Sequence, residues 1–313
     1  MLEFQLHPTT PNENLTDFFT LVYVLIDDLY KEHVPNEIKN RRNVDTAILT
    51  DSEIITISIV GELLGVSSEK SWYNFVSRNY SNLFPQMCDR TRFNRIRRNL
   101  ASVINELRNR MNAYMDITNS QYRIIDSFPL PVCKFGRARF NKTFRGHGAD
   151  YGYCPSKKET YYGYKVHVLC TLEGYITDFI VTPASVDDRA AVFELVEHYK
   201  RPLVLIGDKG YIGDALASEL LEHFGITMIA MKRNNARTQF PKVFRQLVFK
   251  LRRRIETSIS QLCGQLSVET VVAKSFWGLR TRLASKMLAF NVCWFINHLL
   301  GVHHIALIKQ LVY

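Results

Sequence analysis

Two hydrophobic rhythms divide the chain. In the first part the apolar positions recur at helical spacing. Phe18, Leu21, Val22, Leu25 and Leu29 predict an amphipathic helix over Leu15 to Tyr30, after a loose start marked by Pro8, Pro11 and Asn12. Thr50-Asp51-Ser52-Glu53 has the order of a capping box and opens a helix from Asp51 to Leu64, which Gly65 ends. A second helix, roughly Ser68 to Leu83, carries Trp72, Phe75 and Tyr80 and stops at Pro85. A third is predicted from about Asp89 to Met115, with Phe93, Ile96 and Leu100 on its buried side. The polar run 116–121 then marks a boundary.

From Tyr122 the rhythm changes to strands. Tyr122 to Phe128 predicts a strand that Pro129 and Pro131 close. Tyr162 to Leu172 and Ile176 to Thr182 predict a hairpin across Glu173-Gly174. A helix from Asp187-Asp188 to about Tyr199 follows, then a strand Leu203 to Ile206, a helix Asp214 to Phe224 and a strand Ile226 to Met231. Hairpin strands followed by alternating strands and helices predict an α/β fold with a mixed sheet. A long helix, Phe240 to about Leu266, shows Val243, Leu247, Leu251, Ile255 and Ile259 as one apolar stripe. Trp277 to Leu300 reads as a closing helix packed on the sheet.

Composition narrows the partners. The chain has 313 residues, 46% of them hydrophobic, enough for two modest domains or one decorated domain. A formal net charge of +10 points to a polyanion, nucleic acid ahead of an acidic membrane surface. The six cysteines form no CxxC pair and read as reduced thiols, which argues against a disulfide scaffold or a zinc finger. No basic-then-apolar leader pattern opens the chain. The apolar stretch Met287 to Val312 is interrupted by Asn291, Asn297, His298, His303 and His304, and reads as a buried helix rather than a membrane span.

The positive charge is clustered in two places. Arg90, Arg92, Arg95, Arg97 and Arg98 crowd the front of the third helix. Three short helices with such a face suit a helix-turn-helix-like module, or a plain bundle with a solvated basic side. Lys134, Arg137, Arg139, Lys142, Arg145, Lys157 and Lys158 lie in the segment Pro129 to Glu159, interleaved with Phe135, Phe140, Phe144, Tyr151 and Tyr153. Basic and aromatic residues on a long loop suit a phosphate-backbone track. A solvated loop has the same composition.

Three acids carry the candidate chemistry. Asp126 ends the first strand, Asp208 follows a later strand in Gly-Asp-Lys-Gly, and Glu256 sits on the long helix one turn after Arg252. A carboxylate at the tip of a buried strand needs a basic partner, backbone donors or a metal ion. Oxygen-only donors suit Mg²⁺, and two such ions about 3.5–4 Å apart can clamp both oxygens of a phosphodiester displacement. Asp188 is a rival acid for the metal, but directly before an apolar helix it reads as an N-cap ahead of a ligand. Lys165 and His167 share one strand face and suit either a contact to DNA or bound substrate or a satisfied pair at a sheet edge. Lys209 and Lys232, each just past a strand end, suit phosphates or solvent. Trp277 reads as a core residue ahead of a base-stacking one.

IDSFPLPVCK, YYGYKVHVL, TPASVDDRAA, GDKGY and LRRRIET together resemble the transposases of bacterial insertion sequences, most closely the family numbered nine-eight-two. The resemblance covers roughly Ser52 to Leu300 and is strongest from Ile125 to Ile259. It implies a ribonuclease H-like catalytic domain at 119–313 with a basic loop at 129–160, preceded by a helical, DNA-end-binding domain at 1–118. It implies that Asp126, Asp208 and Glu256 hold two Mg²⁺ ions, with Mn²⁺ able to substitute. It also implies cutting of double-stranded DNA at terminal inverted repeats and joining of the 3′-hydroxyl to target DNA, by a dimer on DNA in the bacterial cytoplasm at the nucleoid. The expected DNA contacts are Arg90, Arg92, Arg95, Lys134, Arg137, Arg139, Lys142, Arg145, Lys157, Lys158, Lys165, Lys209 and Arg252. Related families carry a tyrosine, arginine, glutamate and lysine signature around the last acid. Here the arginine and glutamate stand at Arg252 and Glu256, while Phe249 and Cys263 replace the other two, leaving Arg280 or Lys274 as substitutes. A catalytically silent DNA-binding repressor and a ribonuclease H-like nuclease without strand joining are the rival functions.

Overall fold

A computed structural model describes residues 11–44, 46–233, 235–270, 272–302, 306 and 308, the side chains of residues 11–14 excepted. Residues 1–10, expected to start loosely, and His303 and His304 lie outside the described residues. The chain forms two compact units. One gathers Met1–Met111, Gln265–Ser267 and Trp277–Tyr313, and the other Asn112–Gly264 and Val268–Phe276.

The first unit is helical: α1 (Pro11–His33), α2 (Asn36–Lys39), α3 (Asp51–Leu63), α4 (Glu69–Asn79), α5 (Arg90–Asn99) and α6 (Ala101–Asn112). The capping box forms as expected. The Glu53 amide donates to Thr50 Oγ1 at 3.2 Å, and the Thr50 amide donates to Glu53 Oε2 at 2.6 Å. Gly61 lets α4 close onto α3, because a Cβ there would fall 2.5 Å from the Trp72 indole nitrogen. That nitrogen donates to the Ile57 carbonyl at 2.7 Å. The expected third helix is two helices with a break at Leu100. Each half has its own stripe, Phe93 and Arg97 on α5, then Val103, Ile104, Leu107 and Met111 on α6, so one continuous helix does not bury both.

The C-terminal helix corrects a further expectation. Most of α11 (Phe276–Leu299) belongs with this helical unit, not with the sheet. Its Arg282 and Lys286 reach Glu62 of α3, at 2.9 and 2.5 Å, and all three side chains are buried. Of the apolar stretch from Met287, residues Met287 to Asn297 form the buried second half of that helix, which ends at the exposed Leu299. Among the described residues, no helix is long and apolar enough to cross a membrane.

The second unit is built on a six-stranded sheet: β1 (Tyr122–Pro131), β2 (Asp150–Cys154), β3 (Glu159–Cys170), β4 (Ile176–Pro183), β5 (Leu203–Gly207) and β6 (Ile226–Ala230). β1 is central. It pairs antiparallel with β3 on one side and parallel with β5 on the other. β3 also pairs antiparallel with β2 and β4, and β5 pairs parallel with β6. α8 (Asp188–Val196) and α9 (Asp214–Phe224) cover one face over Ile125, Leu169, Leu203 and Leu205. α10 (Lys242–Gly264) covers the other, where Val248 packs on Ile206 and Met231.

β1 does not end at Phe128 as its prolines suggested; it pairs with β3 as far as Pro131. β5 leaves β1 after Ile124, so the far side of β1 is an open edge beyond that point. The Val132 amide donates to Tyr162, so even-numbered amides face β3. Pro129 and Pro131, which have no N–H, fall at the positions that face the open edge. The following segment is also less irregular than expected. It contains a 3-10 turn over Phe135–Phe140, the single helical turn α7 (Lys142–Arg145), and β2.

The stripe on α10 is shifted from the expected one. Val248, Ile255, Ser258 and Leu262 are buried, whereas Val243 and Leu247 are 78% and 51% exposed. Strict four-residue spacing advances about 40° per step around a helix of 3.6 residues per turn, so such a stripe winds off any flat sheet. The buried set keeps one face by mixing steps of three, four and seven.

Glu62 sets the stability of the helical unit. Glu62→Gln leaves Arg282 and Lys286 buried without a counter-charge, and chemical denaturation should show a loss of about 3–5 kcal/mol. Replacing all three together, Glu62→Met with Arg282→Met and Lys286→Met, should lose clearly less.

Candidate active site

The sheet register brings two of the three expected acids side by side. Ile124 pairs with Ile206, the last parallel partners of β1 and β5. Two residues further along each chain stand Asp126 and Asp208. Side chains alternate along a strand, so Asp126 shares the face of Ile124, and Asp208 continues that of Ile206, the face covered by α10. Asp126 thus lies within β1, just past the point where β5 leaves it, and Asp208 directly follows β5, so both stand just beyond the end of the parallel pairing, where open α/β sheets place their ligands.

Asp126 is held closely. One of its oxygens accepts from the Ser127 amide at 2.8 Å. The other faces the Arg252 guanidinium at 3.7 Å. Burial pushes its pKa up to about 6; the Ser127 amide and Arg252 oppose that rise, and the charges of Asp208 and Asp188 add to it. Asp208 is braced by its own turn, its carboxylate accepting from the Gly210 amide at 2.7 Å. Gly210 has little room beside that carboxylate, since a Cβ there would sit 2.9 Å from Asp208 Oδ1.

Glu256 stands apart from this pair. Its side chain is 58% exposed, and its oxygen lies 3.9 Å from the same Arg252 nitrogen that faces Asp126. Arg252 thus lies between the last acid and the first. Among the described residues, no three metal-ligating side chains gather around one point. The donor set still suits a hard divalent cation. It is all oxygen, it includes a buried carboxylate whose ionisation is resisted by its surroundings, and a protein cation already faces it.

Asp188 is not the cap it was read to be. Asp187 caps α8, accepting from the Arg189 amide at 2.9 Å. The Asp188 carboxylate turns inward and accepts from Lys165 Nζ at 2.9 Å and Ser127 Oγ at 3.3 Å. His167 lies behind them, fully buried, with Nε2 at 2.9 Å from Thr182 Oγ1 and Nδ1 at 3.8 Å from Asp188. Burial drives the imidazole pKa down to about 4, so this histidine is neutral. Lys165 is held by Asp188 of α8 and the Val186 carbonyl, while the buried His167 bonds through Nε2 and leaves Nδ1 without a hydrogen-bond partner; β3 is an inner strand rather than an edge. The Asp-Asp doublet was the available signal: a helix takes one cap, which frees the second acid.

The other candidates are distributed over both units. Arg90 and Arg95 are exposed and Arg92 half-buried on α5, while Arg97 turns inward to Glu69 at 2.9 Å. Lys134, Arg137, Arg139, Lys142, Arg145, Lys157 and Lys158 are all exposed, with Phe135, Phe140, Tyr151 and Tyr153 exposed among them. The Arg139 guanidinium stacks 4.6 Å over Phe140, and Lys157 pairs with Glu269 at 2.5 Å. Lys209 is exposed directly after Asp208. Arg252 is only 14% exposed and faces acids rather than solvent. Phe249 is half exposed on α10, and burial together with the Glu269 charge pushes the Cys263 thiol up to about 12. Trp277 is 55% exposed with Arg280 over its ring, not the core residue expected.

A mixed sheet with an antiparallel side, a parallel side, flanking helices and adjacent carboxylates on one face is a ribonuclease H-like domain. The family described as Transposase DDE domain matches residues 116–275, just over half of the chain, and the chain belongs to that family. No curated protein and no solved structure matches it.

The Asp126 environment has a measurable consequence. A folded-state pKa of about 6 against an ordinary 3.8 penalises folding as pH rises. The penalty is absent below about pH 4, grows to about pH 6 and is complete above that. In chelator at pH 7.5, Asp126→Asn should therefore stabilise the protein by on the order of 1–3 kcal/mol and flatten the fall in stability between pH 4 and 6. Denaturation across that range measures it.

Proposed function

We propose that this transposase cuts DNA at the ends of an insertion sequence and joins the freed 3′-hydroxyl to target DNA, with Asp126, Asp208 and Glu256 as ligands of two Mg²⁺ ions. The observation that carries the reading is the Asp126–Asp208 pair, each two residues past the last parallel partners of β1 and β5, in a DDE-family domain. Bound Mg²⁺, or Mn²⁺ in its place, supplies an activated oxygen nucleophile and charge stabilisation at the leaving oxygen. Asp126, central and flanked by Asp208 on one side and Arg252 on the other, suits the shared ligand. Glu256 joins through a side-chain rotation on α10, and Arg252 then turns from Asp126 to a DNA phosphate, which its planar fork suits.

The rest of the surface follows from this assignment. The exposed bases and rings of 134–153 hold backbone phosphates and stack on bases. Arg90, Arg92 and Arg95 read the terminal inverted repeats of double-stranded DNA. Lys157, pinned by Glu269, and Lys165, pinned by Asp188, contribute less to DNA contact than the sequence pattern suggested. Two ends are joined by two copies of the chain on DNA. The motif resemblance favours an element of the insertion-sequence family numbered nine-eight-two. Intact acids at all three positions disfavour a silent repressor.

Labelled end DNA with Mg²⁺ or Mn²⁺ tests the reading. The wild-type chain should nick the end and transfer a pre-nicked end to target DNA, whereas a simple nuclease gives only the first product. Asp126→Asn should lose cleavage by about 10³-fold or more, the scale of several kcal/mol of transition-state stabilisation, while still binding end DNA. Full cleavage by that variant contradicts the metal assignment.

A further inference from the structure

Asp188 lies next to the candidate centre but on the other side of the sheet. Ser127 follows Asp126 and so points to the opposite face of β1. Ser127 pairs with His167, and Pro129 with Lys165, so Lys165, His167 and Ser127 share that opposite face. All three converge on the Asp188 carboxylate, at 2.9, 3.8 and 3.3 Å. Lys165 is fixed a second time by the Val186 carbonyl, at 2.9 Å. The second Asp188 oxygen reaches toward the turn after β5, since a Cβ on Gly210 would lie 3.6 Å from it and 2.9 Å from Asp208 Oδ1. Tyr211, the next residue, is buried beneath the same turn.

We propose that Asp188, with Lys165 as its counter-ion, is a positioning residue that fixes the separation of Asp126 and Asp208 from behind the sheet. The inference rests on the metal-site reading above. One carboxylate touches the residue after Asp126 and lies against the glycine two past Asp208. It therefore ties β1, β3 and the β5 turn at one point. Asp188 is not itself a ligand. One of its oxygens is saturated by Lys165 and Ser127, and it stands on the face away from Asp126. Groups of this kind, which hold ligands rather than the metal, typically change metal affinity by 10–100-fold when removed.

Mn²⁺ alone is the probe. Binding of Mn²⁺ to the full-length chain is followed by titration with electron paramagnetic resonance, alongside thermal melting in chelator. Wild type should bind two ions. Asp188→Ala should bind two ions with affinity weakened by about tenfold or more, and raising Mn²⁺ should restore its cleavage of end DNA. Asp188→Asn keeps an oxygen for Ser127 and should fall between. Loss of one bound ion in Asp188→Ala overturns the inference in favour of a ligand. Unchanged affinity with a lowered melting temperature overturns it in favour of a plain structural pair. Should Asp188→Ala fail to fold, Asp188→Asn decides alone, and unchanged affinity there also overturns it. Absence of Mn²⁺ binding by the wild type removes the metal-site reading itself and the inference with it. Normal wild-type binding with a normal variant removes only the inference.

Discussion

A carboxylate at the centre of a sheet is destabilising unless positive charge or donors surround it, and here three carboxylates converge. Asp126 has Asp208 beside it and Asp188 behind it, and its ionisation is resisted accordingly. The protein answers with one cation on each side of the sheet. Arg252 of α10 faces Asp126 from the front, and Lys165 of β3 neutralises Asp188 from the back. The front acids remain in excess over their cation. That excess of negative charge is what a divalent ion would offset under the proposed reading.

The two faces of β1 divide the work. The face toward α10 carries Asp126, with Asp208 beside it and Arg252 and Glu256 opposite. The face toward α8 carries Ser127 and its contacts to Asp188. The open edge beyond Ile124 follows from the departure of β5, and the prolines at 129 and 131 are compatible only with such an edge. The same departure leaves Asp126 just beyond the parallel pairing, beside Asp208 and facing Arg252. The register, the edge and the acid pair are thus one arrangement, not three.

Much of this was legible in the residue pattern. The capping box at Thr50, the hairpin of β3 and β4 and the position of Asp208 just after β5 all follow from local chemistry, whereas Asp126, expected at a strand end, stands inside a strand that runs on to Pro131. The remainder depended on long-range packing. A break at Leu100 needs no proline or glycine and is decided by two competing burial faces. The α10 stripe was misjudged because four-residue repeats resemble a helix face while drifting around it. Trp277 appeared to be core from its type alone, yet it is more than half exposed. Asp188 was assigned to the cap because spacing cannot tell which acid of a doublet turns inward; the partner, Lys165, arrives from a different strand. Glu256 could be placed on the right helix, but its rotamer and the intervening Arg252 belong to side-chain geometry.

The most direct test is a crystal structure of the chain grown with Mn²⁺ and read by anomalous scattering. The account predicts manganese between Asp126 and Asp208, with carboxylate oxygens at roughly 2.0–2.2 Å as expected of a small hard dication, Glu256 swung inward and Arg252 displaced from Asp126. Arg252 still facing Asp126, with no anomalous peak near either aspartate at saturating Mn²⁺, would contradict it.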